Sequence, residues 1–428
     1  MESSKYYFKG SPILHGDKSI SHRLLMLSTL IRSRHILINL PKNDDVIATI
    51  NTLKTFGLIH ICEKNKDIFD TTNFIFKDAN IDCNESGTTA RLMCGFLSGT
   101  GYNFTITGSK SLLKRPMDRV VKPLAQLGVN ITSTNGKLPV NIKDGYQNFS
   151  DINYKINIAS AQVKSAIILY AINSKRQCTI NGKIQSRDHT ERLLNKLSKN
   201  VSFNKNQIVI TPNAIINQKR FNTKIPGDIS SASFLLAGAI LMQGSKITIN
   251  DLVINDYRIG FIKALKMMGA NISISKKEIR LGEDIGNISA IYSKNLKGIT
   301  IESDQVSSII DEIPILCVVA AFAKTQTVIK GIDELRYKES NRVKAIIDNF
   351  KSIKGLVRVK NDTLIIEPNK KLHNTTILSF SDHRIYMAFY IFNLVLGNKL
   401  ENEKSKKICD KSFPNFFSII NEITHERI

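Results

Sequence analysis

The sequence predicts an α/β protein of two domains, with apolar helices inside and sheets outside. Three observations carry this expectation. The chain has 428 residues, more than one ordinary hydrophobic core supports. Polar residues followed by an apolar helical run recur six times, and the first five are each followed by a β-branched strand and then an amphipathic helix. The first helix of each repeat is apolar nearly all round, which means burial on every side.

The six apolar runs and their polar starts are "DKSISHRLLMLSTLI", "ESGTTARLMCGFLSG", "SAQVKSAIILYAI", "DISSASFLLAGAILMQG", "DEIPILCVVAAFA" and "DHRIYMAFYIFNLVLG". Their starts are 68, 75, 68, 83 and 71 residues apart. The first five are followed by "HILINL", "NFTITG", "QCTING", "SKITIN" and "QTVIKG", short runs rich in strand-forming residues. The second helices read "DDVIATINTLKTFG", "RPMDRVVKPLAQLG", "DHTERLLNKLSKN", "DYRIGFIKALKMMG" and "KESNRVKAIIDNFKSIKG", with a sixth near "FPNFFSIINEI". Gly57, Gly128, Gly269 and Gly355 stand where helix C-terminal caps belong. Asn-Gly in "NITSTNGKLPVNI" marks a hairpin. Six αβαββ-type repeats divide as three plus three, with "IPGD" at 225–228 as the crossover.

Composition narrows the function. The net charge is +23, which suits nucleic acid, an anionic surface or small anionic substrates. No long run of like charge forms a basic tail. The six cysteines include no CxxC pair, as expected of reduced thiols in a cytoplasmic protein. The start "MESSKYYFKG" has no apolar signal region. The longest apolar runs are too short to span a bilayer, so no membrane partner is expected.

The residues that carry chemistry cluster at helix starts. "GDKSISHR" at 16–23 puts Lys18, Ser19 and Arg23 where backbone N–H groups are unpaired and the helix dipole is positive. Alone, that stretch reads as a capped helix facing water. Arg115, Arg187, Lys338, Arg342, Arg384 and Lys411 fall at or near other helix starts. Eight cations at equivalent places point to a polyanionic small-molecule site rather than DNA, because such donors converge in a cleft. Asp311, Glu312 and Glu339 are the acid–base candidates. Taken singly, Asp311 reads as an N-cap and Glu339 in "KESNR" as a surface ion pair. Gly87 permits close backbone approach to a ligand, or else serves a turn. His189 and His383 read as capping or packing residues rather than bases.

Taken in order, "GDKSISHR", "ESGTTARL", "KRPMDRVVKPL", "SAQVKSA", "SRDHTERLL", "PGDISSA", "DEIPI", "KESNR", "DHR" and "KSFP" resemble the 5-enolpyruvylshikimate-3-phosphate synthase family over almost the whole chain. The resemblance implies a two-domain inverse α/β barrel (β/α prism) with three βαβαββ units per domain. It places one domain at 15–226 and the other at 1–14 plus 227–428, with the active site in the cleft between them. It implies transfer of the enolpyruvyl group of phosphoenolpyruvate to the 5-hydroxyl of shikimate 3-phosphate, with release of phosphate. Lys18, Ser19, Arg23, Ser160, Gln162, Ser186, Asp311 and Lys338 would hold shikimate 3-phosphate, with Arg187 as a further phosphate ligand. Lys18, Gly87, Arg115, Gln162, Arg342, Arg384 and Lys411 would hold phosphoenolpyruvate. Asp311 and Glu339 would move the protons, with Lys18 assisting. Neither a metal nor an organic cofactor is implied, and a cytoplasmic monomer without nucleic-acid partners is expected.

Two residues depart from the family pattern: Glu85 where Asn is usual, and Ala161 where a second Ser is common. Glu85 is expected beside phosphoenolpyruvate or turned toward Arg91 or Lys110. The related transferase acting on UDP-N-acetylglucosamine usually has Cys before the Arg-Pro; here the loop is "GSKSLLKRP".

Overall fold

A parallel strand pair bridged by a buried helix, then an antiparallel hairpin, is the repeated element. The structure, a computed structural model, describes residues 5–64, 66–144, 151–198, 201–211, 219–369, 371–399 and 403–427. The chain begins with β1 (Tyr6–Gly10). The first repeat is α1 (Lys18–Ser28), β2 (Arg34–Ile38), α2 (Asp44–Lys54), β3 (Ile59–Glu63) and β4 (Lys66–Asp70). The second is β5 (Ala79–Asp82), α3 (Gly87–Leu97), β6 (Phe104–Thr107), α4 (Asp118–Gln126), β7 (Ile131–Thr134) and β8 (Lys137–Ile142). The third is β9 (Ile152–Ile156), α5 (Ala161–Asn173), β10 (Cys178–Gly182), α6 (His189–Leu197), β11 (Val201–Phe203) and β12 (Gln207–Ile210).

After β13 (Asn222–Lys224) comes the fourth repeat: α7 (Ile229–Leu241), β14 (Lys246–Val253), α8 (Gly260–Met267), β15 (Asn271–Arg280) and β16 (Glu283–Ile291). The fifth is β17 (Thr300–Ile301), α9 (Ile313–Ala321), β18 (Thr327–Lys330), α10 (Arg342–Ser352), β19 (Leu356–Lys360) and β20 (Thr363–Glu367). The sixth has α11 (His383–Val395), α12 (Glu403–Asp410), α13 (Phe416–Ile423) and β21 (Thr424–Glu426). The sequence pattern did not anticipate α12. The last two residues of "DHTERLLNKLSKN" lie outside the described residues.

In the second, third and fifth repeats the opening strand lies parallel to the strand after the buried helix: β5 with β6, β9 with β10, β17 with β18. The closing strand then pairs antiparallel with that second strand, as β8 does with β6. The first and fourth repeats take this opening strand from elsewhere in the chain. Strand β13 lies parallel to β2, pairing Asn222 with Ile36, and β1 lies parallel to β14, pairing Lys9 with Lys246. Contacts accordingly divide the chain into two units. One holds Gly16–Ile225 with Ile279–Glu283; the other holds the residues up to His15, Pro226–Glu278 and Asp284 onward.

The helices α1, α3, α5, α7, α9 and α11 are buried along most of their length. In one unit α7, α9 and α11 pack on one another, and in the other α3 packs on α5 and α1. Gly95 lets α3 and α5 meet closely, because a Cβ there would overlap the Ala166 carbonyl. The outer strands alternate buried and partly exposed residues, as β8 does. Gly57, Gly128 and Gly269 adopt positive φ after their helices. At the fourth expected cap it is Lys354, with φ 56°, that turns the chain rather than Gly355. The Asn-Gly hairpin joins β7 to β8, with Asn135 and Gly136 both at positive φ.

Candidate active site

Each unit presents its own set of functional side chains at helix starts. Five of the six buried helices are capped by a side chain: Asp17, Ser86, Ser160, Asp228 and Asp382 accept from the backbone N–H of the second or third helical residue. Helix α9 differs. Glu312, not Asp311, occupies its N-cap position and makes no capping bond. Asp311 is therefore not the cap of that helix.

In the unit built on α1, α3 and α5, Arg23 is buried to 3% exposure. Its Nε donates to Thr190 Oγ1 (2.7 Å), one terminal nitrogen to Ser165 Oγ (2.8 Å) and the other to the Ser19 carbonyl (2.9 Å). Burial lowers its pKa to about 10, against the pull of Glu191, with nearby Arg187 lowering it further. The site thus holds a desolvated cation that an anion would stabilise. Lys18 Nζ lies 2.7 Å from Asp45 Oδ2. The Asp45 carbonyl lies 3.3 Å from Thr89 Oγ1, which is 2.7 Å from Ser86 Oγ just before Gly87. His22 joins this network through Thr49; burial drives its pKa down to about 3, so the ring is neutral at pH 7.

Gly87 and Arg115 fit together. A Cβ at Gly87 would sit 2.6 Å from an Arg115 terminal nitrogen, so only glycine lets the guanidinium lie over the start of α3. Gln162 ties α5 to α3: its Oε1 accepts from Arg91 (3.0 Å) and its Nε2 donates to Thr88 Oγ1 (3.3 Å). Arg91 also donates to the Pro116 carbonyl beside Arg115. Glu85 Oε1 accepts from Ser111 Oγ at 3.1 Å. Ser186 precedes α6, and its carbonyl accepts from Lys164.

In the other unit the centre is Arg342, 1% exposed. Its nitrogens reach Asp382 Oδ2 (2.9 Å), Glu339 Oε2 (2.6 Å) and Asp311 Oδ1 (3.4 Å). Burial works against its charge, but Asp382, Glu339 and Asp311 outweigh it and push its pKa up. Lys338 Nζ adds to Asp311 at 3.4 Å. Arg384 donates to the Asp311 carbonyl (3.1 Å) and stands 3.7 Å from Glu312 Oε1. Glu312 in turn accepts from Ser230 Oγ. Lys411 follows α12, two residues before the buried Phe413.

The structure therefore brings Asp311, Lys338, Glu339, Arg342 and Arg384 together in one unit. It links Lys18, Gly87, Arg115 and Gln162, and separately Ser19 and Arg23, in the other. His189 is fully buried with Nδ1 2.7 Å from Glu283 Oε1, a structural contact rather than a free base. Sequence reasoning missed Asp45, Lys164 and Thr190 as partners, and named Arg91 only in connection with Glu85, not with Gln162. Among the described residues no cluster of three or more metal-ligating side chains occurs, and no helix is long and apolar enough to cross a membrane.

What this arrangement can do is hold small anions beside paired carboxylates. The comparisons with known proteins agree with that chemistry. The family model for EPSP synthase (3-phosphoshikimate 1-carboxyvinyltransferase) matches residues 5–420. The 3-phosphoshikimate 1-carboxyvinyltransferase of Thermodesulfovibrio yellowstonii is 38% identical over 410 residues, covering 94% of each chain. That of Alkaliphilus oremlandii is 37% identical over 421 residues, covering 97% of each. The solved EPSP synthase of Acinetobacter baumannii superposes with a TM-score of 0.84 at 31% identity, covering 100% of this chain and 98% of that one. The enolpyruvyl transferase NikO of Streptomyces tendae shares the fold, with a TM-score of 0.75 at 12% identity over 100% of this chain and 97% of its own.

Proposed function

The chain belongs to the EPSP synthase (3-phosphoshikimate 1-carboxyvinyltransferase) family, and from that premise we propose which of its residues carry the reaction. The enzyme transfers the enolpyruvyl group of phosphoenolpyruvate to the 5-hydroxyl of shikimate 3-phosphate and releases phosphate. Lys18, Ser19, Arg23, Ser160, Gln162, Ser186, Asp311 and Lys338 hold shikimate 3-phosphate in this reading, with Arg187 as a further phosphate ligand. Lys18, Gly87, Arg115, Gln162, Arg342, Arg384 and Lys411 hold phosphoenolpyruvate. The observation that carries the assignment of the reacting groups is the Arg342 guanidinium buried among Asp382, Glu339 and Asp311.

Asp311 takes the proton of the 5-hydroxyl as its oxygen attacks C2 of phosphoenolpyruvate. Glu339 gives a proton to C3. Its ion pair with Arg342 favours the carboxylate, so this acid role requires the substrate carboxylate to displace Glu339 from Arg342. Loss of a C3 proton back to Glu339 then expels phosphate and restores the enol ether. Lys18 assists by stabilising charge as it develops on the reacting oxygens. No step calls on a metal.

Phosphate release should require both substrates together and survive EDTA; equal turnover with UDP-N-acetylglucosamine as acceptor would overturn the assignment. A second result concerns Gly87. Gly87→Ala forces Arg115 aside, so the KM for phosphoenolpyruvate should rise about tenfold, roughly 1.4 kcal/mol. The KM for shikimate 3-phosphate should stay within about twofold on the same logic. Equal changes in both would mean that Arg115 does not read phosphoenolpyruvate.

The six cysteines are free thiols, which supports a reducing, cytoplasmic setting. A monomer acting on small anions, without nucleic-acid or membrane partners, completes the reading.

A further inference from the structure

Lys164 lies one turn into α5 and is 2% exposed. Its ammonium has three donors, and three acceptors surround it: the Ile184 carbonyl (3.0 Å), the Ser186 carbonyl (3.1 Å) and Glu191 Oε1 (2.6 Å). Residues 183–188 form neither helix nor strand, so this stretch takes its shape from such contacts. Glu191 is 1% exposed, and its second oxygen has no hydrogen-bond partner among the described residues. A buried pair so incompletely satisfied is a poor stabiliser, and apolar residues of similar size would hold the core as well. The neighbouring residues Ser165 and Thr190 both receive Arg23. The same two helix segments therefore fix the 184–186 carbonyls and the Arg23 guanidinium together.

We propose that Lys164, anchored by Glu191, is a positioning residue for the acceptor: it clamps the Ile184 and Ser186 carbonyls and so sets Ser186 and Arg187 against shikimate 3-phosphate. This rests on the reading of Ser186 as an acceptor ligand. The ion pair acts through the loop and touches no reacting atom. Its loss falls on acceptor binding and spares phosphoenolpyruvate.

The test replaces both charges at once, Lys164→Met with Glu191→Leu, so that neither is left buried alone. The melting temperature should stay within about 5 °C of the parent. The KM for shikimate 3-phosphate should rise about tenfold, with the KM for phosphoenolpyruvate within about twofold. Ser186→Ala is measured alongside. An acceptor KM raised by Ser186→Ala but unchanged in the double variant overturns the role of Lys164 alone. An acceptor KM unchanged in both overturns the reading of Ser186. Equal loss for both substrates overturns positioning in favour of a general packing role. If the double variant does not fold, Glu191→Gln replaces it, with a rise of about threefold expected in the acceptor KM alone; no rise overturns the proposal.

Discussion

Asp311→Asn is expected to lower kcat about 10³-fold, within the range a positioned general base contributes. The amide keeps the shape of the side chain and still accepts from Arg342 and Lys338, which now reach Asp311 Oδ1 at 3.4 Å each. What it cannot do is take the hydroxyl proton. The loss should therefore appear in kcat at saturating concentrations of both substrates, with each KM within a few-fold of the parent. Steady-state phosphate release measures both. A kcat within tenfold of the parent would leave Asp311 as one more partner of the buried guanidinium.

Asp382→Ala should cost about 3–5 kcal/mol of stability, because it removes the fully buried partner of the Arg342 guanidinium and uncaps α11. Asp382 is fully buried; it receives Arg342 Nε at 2.9 Å, Ser340 Oγ at 3.0 Å and the Arg384 backbone N–H at 2.9 Å. Burial alone would raise its pKa, but the charge of Arg342 overrides this and holds it below the ordinary 3.8. A carboxylate depressed in the folded state stabilises fully above its unfolded pKa, and that contribution fades as pH falls through the folded value. The deficit of the variant should thus be complete at neutral pH and shrink below pH 3.8. Denaturant titrations at several pH values measure it. A variant within about 1 kcal/mol of the parent at pH 7 would mean that Glu339 and Asp311 suffice for Arg342.

The buried helices and their polar starts were legible because both leave marks within a few residues: apolar positions on every face, and Asp, Ser or Thr just before them. Lys18, Gly87, Arg342 and Arg384 were singled out that way. Their partners were not. Asp45 sits in the first turn of an amphipathic helix, where an acidic residue is ordinary, and nothing local says that Lys18 meets it. Lys164 inside an apolar run reads as a tolerated polar residue until the Ile184 and Ser186 carbonyls are seen around it. Strand β13 is silent for the same reason, since it pairs with residues nearly two hundred positions earlier; the grouping of residues 1–14 with the second domain came from the family resemblance, not from any local mark. Asp311 was ambiguous because the fifth helix begins one residue later than its polar start suggests, at Ile313 followed by Pro314.

The placement of β1 has a consequence for the order in which a ribosome can deliver this fold. Residues 6–10 are made before either of their sheet partners, β14 on one side and the strand at 424–426 on the other, with Tyr6 opposite Glu426. Between them the chain lays down nearly the whole of the unit spanning 16–225, whose three opening strands all lie within that span once β13 emerges. That unit has its partners while translation continues, and domains tend to fold as they appear. The first-made strand waits. It spends the synthesis of about four hundred residues without its last neighbour, an unpaired edge of the kind that invites misassociation. Strand β1 is thus among the last of the described elements to be locked in place, and β21 completes the sheet that β1 began.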